Sequence, residues 1–294
     1  MGLKRMFGRK KKPPAEDEKE LTIEDLITLE RYEEAEVALK ERLKSFPKDL
    51  HAHLRLAEVY VALKNVGKAL DEYLFVADSH VDDGFFDKGI ALLSKSAKLA
   101  PGDDMLPRRI ERYRRLKMLE KRRQFAIAGL MANKTTGAST AANSAIQVEM
   151  LWNKIVKSHI VEQLQAQNLQ KLFSVMEMRK TRSGEVLAED GSTVPVMYLV
   201  VDGVVEAGAE IGGKYTNVRS FTSGDLIGDS ALLEQKIWPA DYKVTEPGTV
   251  FRLDREGLAE VMAGNDDPVR FLSVLRQQQN DRTVAAALLK LRAG

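Results

Sequence analysis

The feature that most constrains the fold is a change of hydrophobic period near residue 184. Before it, apolar residues recur at helical spacing. After it come six short strand-like segments: Glu185-Val186-Leu187, Val196 to Val201, Val204 to Ala207, Val218 to Phe221, Tyr242 to Val244 and Thr249 to Leu253. Asp202-Gly203 is expected to turn one hairpin and Gly212-Gly213 another. Helical patterns flank the run, from Ile146 to about Met176 and again after Gly264. Short strands between helical ends predict a small β-barrel or jelly roll. Within it, Gly224-Asp225-Leu226-Ile227-Gly228 leads into a short helical run starting at Ser230. Glycine lets the backbone approach a ligand, and free N–H groups at a helix start favour an anion, so this turn reads as a phosphate cradle.

The 294 residues, 44% of them hydrophobic, allow two cores. Asn133 to Ser144 is small, polar and without pattern, which places a linker at 132–145. With no cysteine, disulfides and thiolate metal sites are excluded. No run approaches the roughly 18 apolar residues of a membrane span, and no apolar signal segment follows the first basic residues, so a cytoplasmic location is expected. The net charge of +2 conceals +6 in residues 1–14 and +7 in residues 108–123, which leaves −11 elsewhere. Residues 1–20, with Pro13-Pro14 and Glu16-Asp17-Glu18, read as a basic unpacked tail. Leu3, Met6 and Phe7 among its lysines suit an anionic membrane surface or nucleic acid, at about 1 kcal/mol per basic residue near acidic lipid. A solubilising tail is the plainer alternative. Gly2 does not start a myristoylation motif, because Met6 stands where Ser or Thr is needed.

From Leu21 to Asp103 the helical pattern repeats. Ala35 precedes Leu39, Pro47 stops that helix, and 34 residues after Ala35 the arrangement returns with Ala69 and Tyr73, preceded by Leu56, Ala57 and Tyr60. Phe85 to Pro101 repeats the second half, with Gly89 in place of alanine. Residues 21–103 therefore resemble the tetratricopeptide repeat. Ala69 to Gly89 spans only 20 residues, so Leu70 to Val81 must serve two hairpins and about five helices are expected. The resemblance implies a stacked surface that binds a protein partner; packing on the rest of the chain is the alternative. Residues 104–131 predict one long helix with Leu106, Ile110, Tyr113, Leu116 and Leu119 on its apolar face. Arg108, Arg112, Arg115 and Arg122 form its basic contact surface, either solvating the end of the stack or meeting an acidic protein, lipid or nucleic acid.

Several elements in order resemble the cyclic nucleotide-binding domain across roughly Ser158 to Asn265, within a domain placed at 146–265. They are Leu172-Phe173, Gly184-Glu185-Val186-Leu187, Asp190-Gly191, Met197 to Val205, Gly224 to Leu233 and Phe251 to Glu256. The resemblance implies a phosphate cassette in which a glutamate holds the ribose, an arginine pairs with the cyclic phosphate and helix-start amides complete the cradle. Gly228, Ala231, Leu232 and Pro239 fall on its pattern, and Ser230 opens the helix. Asp229 stands for the glutamate, retracting the carboxylate by roughly 1.5 Å. Ala240 stands for the arginine. A hydrogen bond to a charged group contributes about 1.5–3 kcal/mol, so its loss predicts phosphate binding roughly tenfold to several hundredfold weaker. Asp241 adds repulsion. Lys236, Lys243 and Arg219 are candidate replacement cations, and Trp238 either stacks on a base or anchors the loop. Tight binding of an ordinary cyclic mononucleotide is not expected.

Residues 266–294 predict one C-terminal helix, which in this family carries the response to ligand or a homodimer contact. About 29 residues are too few for a winged helix-turn-helix, which argues against sequence-specific DNA binding. His51, His53, His80 and His159 have no metal-site spacing, and no P-loop or G-x-S-x-G motif occurs. The expectation is a non-catalytic, cofactor-free cytoplasmic signalling adaptor with a protein partner. Its rivals are a nucleotide second-messenger receptor with an unusual phosphate cation and a scaffold held at the inner membrane face by residues 1–14.

Overall fold

The computed structural model describes residues 21–133 and 141–293. The expected tail and the centre of the expected linker lie outside them. Two compact units divide between Lys117 and Met118, inside the long helix rather than at either of its ends.

The first unit begins with five helices: α1 (Ile23–Thr28), α2 (Tyr32–Ser45), α3 (Leu50–Ala62), α4 (Val66–Asp82) and α5 (Phe86–Ser96). Side-chain caps set the starts of three of them. Thr22 and Asp25 form a reciprocal capping box on α1, Asp49 caps α3 and Asn65 caps α4. Ala35, Leu39, Ala52, Leu56, Ala57, Tyr60, Ala69 and Tyr73 share one core, the small residues letting the large ones nest. As the shortened spacing requires, α4 packs against both α3 and α5. Gly89 is buried at their contact, where a Cβ would lie 2.7 Å from Val81 Cγ2 and 2.9 Å from the Ala77 carbonyl oxygen.

Helix α6 (Met105–Ala132) follows. Its expected apolar face is only partly buried. Leu106, Ile110 and Tyr113 join the core of α4 and α5, but Leu116 and Leu119 are exposed; Ala126 and Leu130 are buried later, in the core of the second unit. The helix thus lends residues to two cores in turn.

In the second unit α7 (Ala141–Ile155), α8 (His159–Gln163) and α9 (Ala166–Val175) precede an antiparallel sheet of β1 (Glu177–Lys180), β2 (Val186–Ala188), β3 (Val196–Ile211), β4 (Lys214–Phe221), β5 (Leu226–Ile227) and β6 (Asp241–Asp254). The strand order β1-β6-β3-β4, with β2 on β6 and β5 on β3, leaves the sheet unclosed, as in a jelly roll. Helix α10 (Asp229–Glu234) sits between β5 and β6, and α11 (Arg255–Ala263), α12 (Pro268–Arg276) and α13 (Asn280–Ala293) follow.

Two expectations change here. Asp202-Gly203 makes no hairpin turn: β3 runs through it, bending at register shifts against β6. Gly203 has φ 84, and a Cβ on it would lie 2.5 Å from the Glu246 carbonyl oxygen, while one on Gly248 would lie 2.0 Å from that of Asp202. The glycines serve a close crossing of two strands, not a chain reversal. Gly212-Gly213, at φ 60 and 78, does turn β3 into β4. At the C-terminus two helices replace one, because Gln277–Gln279 breaks the run and Gln279 takes φ 49.

Candidate functional site

The cassette begins where β5 ends. Gly228 has φ 82, and a Cβ there would lie 2.4 Å from the Val196 carbonyl oxygen and 2.5 Å from the Trp238 ring, so only glycine fits. Asp229, Ser230, Ala231 and Leu232 follow as the buried first turn of α10. Trp238 is completely buried: its Nε1 donates to the Val194 carbonyl at 3.0 Å, and its ring meets Tyr242 edge-on with centroids 4.8 Å apart. Pro239 leads directly to Ala240, which has no exposed surface and packs in the barrel core.

None of the three candidate cations hydrogen-bonds to the cassette turn among the described residues. Lys236 pairs with Glu234 at 2.7 Å. Lys243 is exposed, on the opposite side of β6 from buried Tyr242 and Val244. Arg219 shares a face of β4 with Phe221 and lies 5.1 Å over its ring; its charge also acts on the Tyr242 hydroxyl. Asp241 accepts the Asp190 N–H at 2.8 Å.

An anion comes instead from α13. Asp281, 1% exposed, accepts from Gly228 N–H at 3.0 Å and the Tyr242 hydroxyl at 2.9 Å through Oδ1. Through Oδ2 it accepts from Ser230 N–H at 3.0 Å and Ser230 Oγ at 2.9 Å. Asp229 in turn accepts the Asp281 N–H at 3.2 Å. Burial, and then the neighbouring charge of Asp281, push the Asp229 carboxyl up to about 7. Burial likewise raises the Tyr242 hydroxyl, keeping it a donor. The approach to α13 is tied down as well: Gln278 Oε1 accepts from Leu226 N–H at 2.8 Å, and Asn280 Nδ2 donates to the Leu226 carbonyl at 2.5 Å.

Sequence reasoning missed Asp281. The signal was its place three and seven residues before Val284 and Leu288, which put a carboxylate on the buried face of a helix.

Arg108, Arg112 and Arg115 are exposed on α6 and make no ion pair among the described residues, whereas Arg109 meets Asp78 and Lys117 meets Asp87. Arg122, with Lys121, Gln165 and Arg270, lines a separate cavity of about 340 Å³. Among the described residues there is no group of three or more His, Asp or Glu able to hold a metal, and no helix long and apolar enough to cross a membrane.

Residues 178–265 match the cyclic nucleotide-binding domain family and residues 26–83 the tetratricopeptide repeat. No curated protein is significantly similar to the chain. Similar solved structures include the regulatory domain of Toxoplasma gondii PKA with cAMP, 22% identical, covering 39% of this chain and 44% of that one, with a TM-score of 0.36. The Thermus thermophilus catabolite activator protein is 20% identical, covers 46% and 62%, and has a TM-score of 0.38. A cyclic nucleotide-binding domain from Methylobacillus flagellatus is 16% identical, covers 48% and 83%, and has a TM-score of 0.40. The chain thus spans less than two thirds of the first two proteins. One chain thus carries a segment that matches tetratricopeptide repeats followed by a segment that matches the cyclic nucleotide-binding domain.

Proposed function

We propose that the chain is a non-catalytic signalling adaptor, in which the helical repeats bind a protein partner and the barrel regulates that interaction without acting as an ordinary cyclic nucleotide receptor. The observation that carries this reading is the Asp281 carboxylate on the cassette donors. Where the resemblance implies an arginine, the buried methyl of Ala240 offers no charge. A cyclic phosphate entering this turn would meet a carboxylate and no hydrogen-bonded cation, losing the charge-assisted pair and gaining repulsion.

Calorimetric titration of the full chain with cAMP and cGMP tests the reading. The expected result is no submicromolar binding of either; submicromolar affinity defeats it. Capture of a protein partner should depend on residues 21–131. One observation favours a second reading, an unusual receptor: Arg219 is a cation on the inner face of β4. Binding of cAMP that is lost in Arg219→Ala would select it.

A further inference from the structure

Three contacts give α13 the form of a bound molecule. Its Asp281 carboxylate takes four donors that converge on the cassette turn at 2.9–3.0 Å, two of them backbone N–H groups of Gly228 and Ser230. Asp229, at the position of the family's ribose-holding glutamate, accepts from Asp281 N–H, so helices α10 and α13 each hold the other's amide with a carboxylate. Val284 and Leu288 lie on the same face of α13 as Asp281 and are buried with Ala207, Ala209, Phe221 and Tyr242. An anionic head on the amides and an apolar body in the barrel is how a small amphipathic anion would lie.

We infer that residues 278–288 are an internal ligand of the barrel, a tethered carboxylate in the anion position, and that α13 leaves as a unit when the site opens. This rests on the proposed reading that the barrel is not an ordinary receptor. Three features favour departure over a fixed core element. Gln277–Gln279 separates α12 from α13, with Gln279 already at φ 49, where a side chain is strained. Helix α13 contributes no strand to the sheet, so its release breaks no ladder. Asp229 and Asp281 stand together, both buried, and among the described residues neither is hydrogen-bonded to a Lys or Arg side chain, so the contact between the two helices carries like-charge repulsion with no counter-charge. An external anion competes with a tethered one, and its apparent affinity is the intrinsic one multiplied by the fraction of time that α13 is away.

Amide hydrogen exchange on the full chain tests this. In Asp281→Ala, residues 280–293 should exchange about tenfold faster or more, while residues 196–211 of β3 keep their protection. Tyr242→Phe, which removes a single donor, should speed the same segment by a smaller factor, and it decides the matter if Asp281→Ala does not fold. Unchanged exchange in residues 280–293 overturns the inference, because the carboxylate then holds nothing. Exchange that rises equally in β3 and α13 also overturns it, because the helix is then inseparable from the barrel. Submicromolar cAMP binding by the wild type would defeat the proposed function; no such binding with unaltered exchange in the variants would defeat the internal ligand alone.

Discussion

The helical repeats and the barrel both pack small residues against large ones, but they draw on contacts of different range. In the repeats Asp49 caps a helix three residues away, and Ala35, Leu39 and Tyr60 meet through adjacent hairpins. In the barrel, Gly228 and Ser230 receive their acceptor from Asp281, more than fifty residues along the chain. Local patterning specifies the first kind of structure directly. The second depends on what the remainder of the chain delivers to a turn. Loss of a side chain should therefore be more damaging in the barrel, where one residue anchors several distant segments.

Trp238 provides the largest expected effect. It is fully buried, and its ring and Nε1 join the cassette loop to Tyr242, Tyr198 and Val194. Trp238→Ala should cost about 3–5 kcal/mol. Trp152 remains in the same unit, so its fluorescence in a urea titration reads the loss. Two glycines then sharpen the comparison at matched chemistry. Gly228→Ala forces a Cβ against a backbone oxygen at 2.4 Å and the Trp238 ring at 2.5 Å with φ 82, and should cost about 3 kcal/mol. Gly89→Ala meets Val81 Cγ2 at 2.7 Å in the middle of a helix. There the gain in helix propensity of about 1 kcal/mol offsets the crowding, leaving a loss of about 1 kcal/mol. The reverse order in urea midpoints, read by fluorescence for Gly228→Ala and by circular dichroism for Gly89→Ala, would break the comparison.

The two regions should also differ in pH dependence. In the repeats, side-chain hydrogen bonding to Lys40 lowers the pKa of Glu36, and the Ala52 amide and Arg42 lower that of Asp49. Their stabilisation is present above the ordinary carboxylate range and is lost as pH falls through the lowered values. Asp254 and Glu234 add the same acid limb to the second unit. Asp229 has the opposite sign: raised from 3.8 to about 7, its favourable protonated form is fully present below about pH 4 and is lost as pH rises through 7. The slope is bounded by about 1.4 kcal/mol per pH unit for one proton. Fluorescence-detected urea midpoints should therefore fall between about pH 4 and pH 7, and Asp229→Asn should flatten that fall.

These contrasts also mark what could be read from sequence. The 34-residue period, Pro47 and the small-large pairs located the repeats, because each signal acts within one or two helices. Gly212-Gly213 was legible as a turn because two adjacent positive φ angles are enough to reverse a strand. Asp202-Gly203 was misleading, since the same residue types also permit a bulge, and only Glu246 and Gly248 on the facing strand decide between them. The cassette's missing arginine was visible at Ala240. The carboxylate that lies against its donors was not, because a lone aspartate on a helix carries no mark of the distant turn that receives it.

The smallest expected effect tests whether the repeats really stand on local contacts. Asp49 Oδ1 accepts the Ala52 N–H at 3.1 Å, and Oδ2 meets Arg42 Nε at 2.7 Å. Asp49→Ala should cost about 1 kcal/mol through the lost cap, the half-exposed ion pair adding little. Both tryptophans lie in the second unit, so their fluorescence is silent about α3, while circular dichroism at helix wavelengths reports all the helices. The variant should shift the dichroism transition and leave the fluorescence midpoint in place. Equal shifts in both would mean that losing one cap unfolds the whole chain, and stability in the repeats would then be no more local than in the barrel.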